Sequence, residues 1–283
     1  MNVQILEKTQ DMLRFILEDV DASFANALRR VMIAEVPTLA IEDVIIIENT
    51  SALYDELFAH RLGLIPLKTD LESFVLPQDC GCGGTNCPRC SVTLTLVKEA
   101  KEIDNQGDSV IVYSGDLVSQ DPEVVPVNDL IPIVKLAKGQ RTELEAIAQL
   151  GKGKAHAKWQ PVATCSYKYI PIIDLNTQEC TVCGDCVESC PKSILRIEED
   201  RLIIQNMLDC ILCKLCEDTC DFNAIKVRWD NRIFAFSLES TGALSPEKIV
   251  KKAVEILQGK AEAFKEEIEL IQEGEKSEIY RSN

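Results

Sequence analysis

Histidine is scarce in this chain. His60 and His156 are the only two, and neither stands in a nucleophile motif. Asp55 and Glu56 lie near His60, but no Gly-x-Ser-x-Gly elbow is present, so hydrolytic chemistry of that kind is not expected. The Gly-x-Gly-x-x-Gly fingerprint is also missing, and Gly151-Lys-Gly153-Lys lacks the spacing of a phosphate loop. Long hydrophobic runs are absent. The longest wholly aliphatic one, Val44 to Ile47, falls far short of the ~20 apolar residues that cross a bilayer. No basic segment leading into an apolar one opens the chain, so export is not expected and a cytoplasmic location is. Positive charge is in deficit, with 30 Lys and Arg against 46 Asp and Glu, a net charge of −16. Phosphate backbones repel such a chain, so direct binding to nucleic acid is not expected. One stretch runs the other way: Lys138, Arg141, Lys152, Lys154, Lys158 and Lys168 face only Glu143 and Glu145, as a solvated segment or as a contact for an acidic partner.

Cysteine is plentiful. Four cysteines at 180, 183, 186 and 190 recur thirty residues later at 210, 213, 216 and 220, each set reading Cys-x2-Cys-x2-Cys-x3-Cys. This spacing sends three thiolates to one iron–sulfur cube and the fourth to its neighbour. The expected ligation is therefore crossed. Cys180, Cys183, Cys186 and Cys220 would hold one [4Fe–4S] cluster, and Cys210, Cys213, Cys216 and Cys190 the other. Apolar positions repeat with the same period, Ile173 with Ile203, Leu195 with Ile225 and Ile197 with Val227, as in duplicated supersecondary units. The first set ends in Cys190-Pro191 and the second in Cys220-Asp221, so the second turn is expected to be less rigid.

A third group, Cys80, Cys82, Cys87 and Cys90, packs four thiols into one short glycine-rich loop with a Cys-Pro-x-Cys knuckle, which suits a tetrahedral Zn2+. A third iron–sulfur cluster, a disulfide pair or an empty loop are the alternatives. Cys165 stands alone, as a small buried hydrophobe. Thirteen cysteines grouped in this way point to a reducing compartment.

The remainder reads as α+β. Strands are expected at Val3 to Leu6 and Met12 to Leu17, then a helix capped by Asp21 or Ser23, carrying Phe24, Leu28, Val31 and Met32 and ended before Pro37. Further strands are expected at 44–47, 92–97, 110–113, 131–136 and 232–238, a turn at Asn105-Gln106-Gly107, and a short helix from Glu143 to Leu150 ended by Gly151. Ser245-Pro246-Glu247 starts a long helix with an apolar stripe through Ile249, Ala253, Ile256, Leu257, Phe264, Ile268 and Ile271. Neither terminal segment builds a core alone, so the two pack together and the middle is an insertion. The outer part of the stripe, with the helix from Asp21, is either intramolecular core or a face for another subunit.

Three stretches resemble one family. Asn26 to Ala40 is similar to the dimerisation helix of the α-type subunits of multisubunit RNA polymerases. Asp55 to Leu67 resembles the signature that follows it in archaeal and eukaryotic members, and Leu150 to Val162 a third segment of the same family. The resemblance implies a discontinuous dimerisation domain (1–42 and 229–283), an inserted β-rich domain (43–164) with a zinc loop at 80–90, and a ferredoxin-like double-cluster domain (165–228). It also implies a heterodimer with the smaller subunit L, through Phe24, Leu28, Val31, Met32, Ile256 and Phe264. That heterodimer, with subunits N and P, is the platform for the second-largest subunit. Catalysis belongs to the largest subunit of the complex, and no residue here is expected to be catalytic. An electron-transfer protein in which the α-like parts serve only as a mount is the alternative.

Overall fold

The computed structural model describes residues 1–83, 85–101 and 109–281, with side chains as far as residue 271. The expected turn at 105–107 lies outside the described residues. The chain divides into two compact units, one of residues 1–8, 13–26 and 166–237, the other of 9–12, 27–165 and 238–283.

The first unit is built on a four-stranded sheet. β1 (Asn2–Lys8) and β2 (Met12–Glu18) form an antiparallel hairpin, Asn2 opposite Glu18 and Lys8 opposite Leu13. β2 buries Leu13, Phe15 and Leu17 in strict alternation, as a strand with one covered face must. The sheet order is β1-β2-β12-β9, completed by the long strands β9 (Val162–Leu175) and β12 (Ile225–Ser240). Between β9 and β12 the chain makes α3 (Asp185–Glu188), the antiparallel pair β10 (Leu195–Glu198) and β11 (Arg201–Ile204), and α4 (Leu215–Asp218). Ile173, Ile194, Leu195, Leu202, Ile225 and Val227 form a small core there, together with Cys186, Cys210 and Cys216. β12 is one unbroken strand of 16 residues, so the expected boundary at 228 falls within a strand rather than in a linker.

α1 (Ala22–Ala34) starts as its sequence dictates. Asp21 Oδ1 accepts the backbone N–H of Phe24 at 2.7 Å, which satisfies one of the donors a helix start leaves open.

In the second unit, β3 (Pro37–Asn49), β4 (Ser91–Glu99), β6 (Val118–Ser119) and β8 (Arg141–Lys152) form a sheet in the order β3-β8-β4-β6. β5 (Ser109–Tyr113) pairs with β7 (Pro132–Ala137), and α2 (Asp55–Gly63) buries Phe58 and Leu62 in the same core. β8 corrects one expectation: Glu143 to Leu150 is not a helix. The segment is rich in helix-forming Glu, Leu and Ala, yet Thr142, Leu144, Ala146, Ala148 and Leu150 are all buried and the residues between them are not. That period of two, with β3 and β4 hydrogen-bonded on either side, outweighs a propensity preference of a few tenths of a kcal/mol per residue.

The segment after β8 is a packing lock. A Cβ on Gly151 would lie 2.2 Å from the Trp159 ring, and one on Gly153 would lie 2.4 Å from the Ile33 carbonyl oxygen. Thr38 Oγ1 donates to the Trp159 carbonyl at 2.9 Å, and Trp159 Nε1 donates to the Gln149 carbonyl at 3.2 Å. The glycines are there for close approach. α5 (Pro246–Arg281) closes the chain, with Ile249 and Ala253 buried near its start. No described helix is long and apolar enough to cross a membrane.

Candidate metal centres

The thirty-residue repeat extends to backbone conformation. Val182 and Leu212 are left-handed at φ 56° and 58°, Gly184 and Lys214 at 95° and 64°, Ser193 and Asn223 at 50° and 48°. Such a conformation costs a non-glycine residue about 1–3 kcal/mol and is least tolerated by a β-branched one such as Val182. Its recurrence thirty residues on marks one loop shape built twice. Hydrogen bonds repeat too. The amide of Val187 donates to the Gly184 carbonyl at 2.9 Å and that of Glu217 to the Lys214 carbonyl at 2.8 Å; Ser193 donates to Cys190 at 3.1 Å and Asn223 to Cys220 at 3.0 Å. The turn after Cys220 thus matches the one after Cys190 without a proline.

The sets meet crosswise. Cys180, Cys183, Cys186 and Cys220 line one pocket, walled by Ile197, Leu202, Phe222, Ala224 and Ile225. Burial raises the Cys186 thiol above its ordinary range, and the charges that raise it further are those of Cys183, Cys180 and Cys220. Cys216 is pushed up to about 11, first by burial and then by Cys190 and Cys210. Cys220 therefore stands with Cys180, Cys183 and Cys186, and Cys190 with Cys210 and Cys216. Cys183 and Cys213, thirty residues apart, are the exposed members. Backbone amides reach the sulfurs as well: Leu212 N donates to Cys210 Sγ at 3.4 Å and Ala224 N to Cys220 Sγ at 3.3 Å. Thiols in an apolar pocket, with amides aimed at sulfur, fit a thiolate-ligated cluster.

The third group is more compact. The sulfurs of Cys80, Cys82, Cys87 and Cys90 all lie within 4.8 Å of one another. Cys80 and Cys87 are 3.5 Å apart, Cys82 and Cys90 3.7 Å, Cys87 and Cys90 3.8 Å. Four sulfurs bound tetrahedrally at 2.3 Å from one ion stand about 3.8 Å from each other. A disulfide needs about 2.0 Å, and all four cysteines are free. The knuckle is held by the amides of Cys90 and Ser91, both donating to the Cys87 carbonyl at 2.9 and 3.0 Å. Burial, then the neighbouring thiols, push Cys90 up to about 12. The donor set and its dimensions fit a single tetrahedral ion.

Other expected residues are placed as follows. Leu28, Val31 and Met32 are buried within the chain. Phe24 is 36% exposed, Ile256 is half-buried and Phe264 is 66% exposed. With Ile268, Leu270 and Ile271, Phe264 leaves the outer part of α5 apolar and uncovered. The basic stretch is largely engaged internally. Lys158 bonds the Ile41 carbonyl and Glu42 and lies 4.5 Å from the Trp159 ring centroid; Arg141 pairs with Glu48 and Glu143. Lys168 donates to the Leu208 and Cys210 carbonyls, a contact no periodicity pointed to. His60 and His156 are exposed. Cys165 is half-buried, and burial pushes its thiol up to about 11.

The chain combines a mixed α/β fold, a long terminal helix whose outer part is uncovered, and grouped thiols that could hold a metal. The chain belongs to the RNA polymerase Rpb3/Rpb11 dimerisation domain family, whose pattern matches residues 14–261. Its relatives include DNA-directed RNA polymerase subunit Rpo3 of Methanosphaera stadtmanae, 46% identical over 264 residues that cover 93% of this chain and 96% of the relative. The Rpo3 subunits of Archaeoglobus fulgidus and Pyrococcus furiosus are 44% and 39% identical, covering 95% of this chain in both cases and 98% and 97% of the relatives.

Proposed function

We infer that this chain is the non-catalytic assembly subunit of an archaeal DNA-directed RNA polymerase, the α-type partner in a heterodimer. The observation that carries this reading is the family match across residues 14–261, together with relatives named Rpo3 that align over nearly their whole length. The complex is the enzyme; this chain contributes structure in the cytoplasm. Its partner is the smaller L/Rpb11-type subunit, received on Phe24, Ile256 and the exposed Phe264, Ile268 and Ile271 of α5. Obligate interfaces resemble a domain core cut in half, which suits this stripe. Subunits N and P and the second-largest subunit then assemble on the heterodimer.

Two [4Fe–4S] clusters occupy a ferredoxin-like segment of about 165–228, ligated by Cys180, Cys183, Cys186 and Cys220 and by Cys210, Cys213, Cys216 and Cys190. The repeated left-handed residues and the crossed neighbours support this. A structural Zn2+ at Cys80, Cys82, Cys87 and Cys90 is supported by the sulfur separations. These groups supply cross-links between chain segments, and their thiolate ligands give up protons on binding. The inserted β-rich part, about 43–164, holds the zinc loop, and residues 1–42 and 229–283 form the dimerisation part. Co-expression with the Rpb11-type partner is the test. The pair is expected as a soluble one-to-one dimer, and the chain alone as self-associating material. A stable, well-behaved monomer without any partner would overturn the reading.

A further inference from the structure

The two crossed cysteine sites share one backbone shape, so differences between their surroundings are not demanded by the fold. At repeat-matched positions Glu179 and Asp209 are both acidic, as are Glu188 and Asp218. Several other matched positions diverge in charge or size. Gly184 and Asp185 of the first loop become Lys214 and Leu215 in the second, and Val187 becomes Glu217. Beyond the crossed ligands, Cys220 is followed by Asp221 and Phe222, whereas Cys190 is followed by Pro191 and Lys192. Lys168 lies outside the repeat and serves the second loop, its Nζ 3.2 Å from the Cys210 carbonyl oxygen and also bonded to that of Leu208. The charges facing this ammonium are those of Asp209, Cys210, Arg14 and Lys192, and Arg14 is itself paired with Glu7. All but one of these differences make the second site the more positive. The exception is Glu217, which lies 3.5 Å from Lys214 and accepts the Val227 amide at 3.0 Å.

We propose that the two sites are electrically unequal: the second (Cys190, Cys210, Cys213, Cys216) takes up an electron before the first, and Lys168 is the positioning residue that biases it. This rests on the reading that both sites hold clusters. An added electron makes a thiolate-ligated site more negative, so nearby cations favour it and nearby carboxylates oppose it. One effect runs the other way. Cys210 is buried where its match Cys180 is half-buried, and burial disfavours added charge. The cations outweigh it because Lys168 is held against the loop backbone in a part-buried position, where solvent and salt screen it least. The electron comes from an external one-electron reductant of the dithionite class, and no bond to carbon is made or broken.

The test is a potentiometric titration, followed by electron paramagnetic resonance, of the anaerobically purified heterodimer of this full chain and its Rpb11-type partner. Iron and sulfide are counted first. Two one-electron steps are expected, and Cys213→Ser should delete the upper one. Lys168→Met should lower the upper step by at least a tenfold change in electron occupancy, about 59 mV for one electron, and leave the lower step in place. Lys214→Gly, which suits the left-handed backbone there and copies Gly184, should shift the same step the same way, and Asp185→Asn should raise the lower step. Coincident steps, deletion of the lower step by Cys213→Ser, or lysine variants that move neither step or both alike would overturn the proposal while leaving two clusters in place. Protein lacking iron at both sites would instead refute the two-cluster reading, and the inference with it.

Discussion

The loop from Cys80 to Cys90 and the repeats from Cys180 to Cys220 use the same ligand atom in opposite ways. In the loop, four sulfurs from one short segment are drawn to within 4.8 Å of one another, the spacing a single ion imposes. In the repeats Cys220 of the second copy lines a pocket with Cys180, Cys183 and Cys186 of the first, and Cys190 of the first stands near Cys210 and Cys216 of the second. The lesson concerns locality. The loop site needs only residues 80 to 90 and the start of β4, whereas the crossed sites exist only when both loops have folded onto β9 to β12. Metal loss should therefore stay local in the first region and spread through the second.

The largest effect is expected in the repeats. Cys190→Ser should remove about half of the iron, the same half as Cys216→Ser, so that combining the two removes no more; Cys190→Ser combined with Cys186→Ser should remove nearly all of it. Iron per chain and the paramagnetic spectrum of each variant measure this, and equal losses in the two combinations would break the crossed scheme. A smaller effect is expected in the loop. Cys90→Ser should cost one zinc per chain, leave the iron unchanged and leave the heterodimer intact. The same site should lose affinity as pH falls. Burial pushes the Cys90 thiol up to about 12, so near neutral pH the metal must displace its proton. Each displaced proton lowers affinity about tenfold per pH unit on acidification and raises it on alkalinisation. Competition with a chromophoric chelator between about pH 6 and 8 reads the slope, and a flat profile would mean that the thiols are already ionised. The smallest effect is expected at Pro191→Asp, which copies Asp221. Because both turns close with matching hydrogen bonds, the change should cost no more than about 1 kcal/mol in thermal unfolding.

Much of this was legible before any coordinate. Asp21 caps α1, Pro246 opens α5, and the strands at 44–47, 92–97, 110–113 and 232–238 lie within β3, β4, β5 and β12. The segment 141–152 was misread because its residue types favour a helix while its burial alternates, and which face is buried depends on β3 and β4, strands distant in the chain. An apolar stripe announces burial without naming what covers it, and Leu28, Val31 and Met32 of α1 are buried in the chain.

Cysteine spacing and the thirty-residue period are local properties, and the sequence by itself determined them, along with the helix caps and the outer stripe of α5 that a second subunit is expected to cover. Only the tertiary structure decided that Gly151 makes room for the Trp159 ring and that Lys168 of β9 turns its charge to the Cys210 loop. The physical reason is the same in each case. Spacing along a chain sets which groups can share a turn or a face, whereas the partner of a buried charge, sulfur or ring is chosen by long-range packing, which no local pattern encodes.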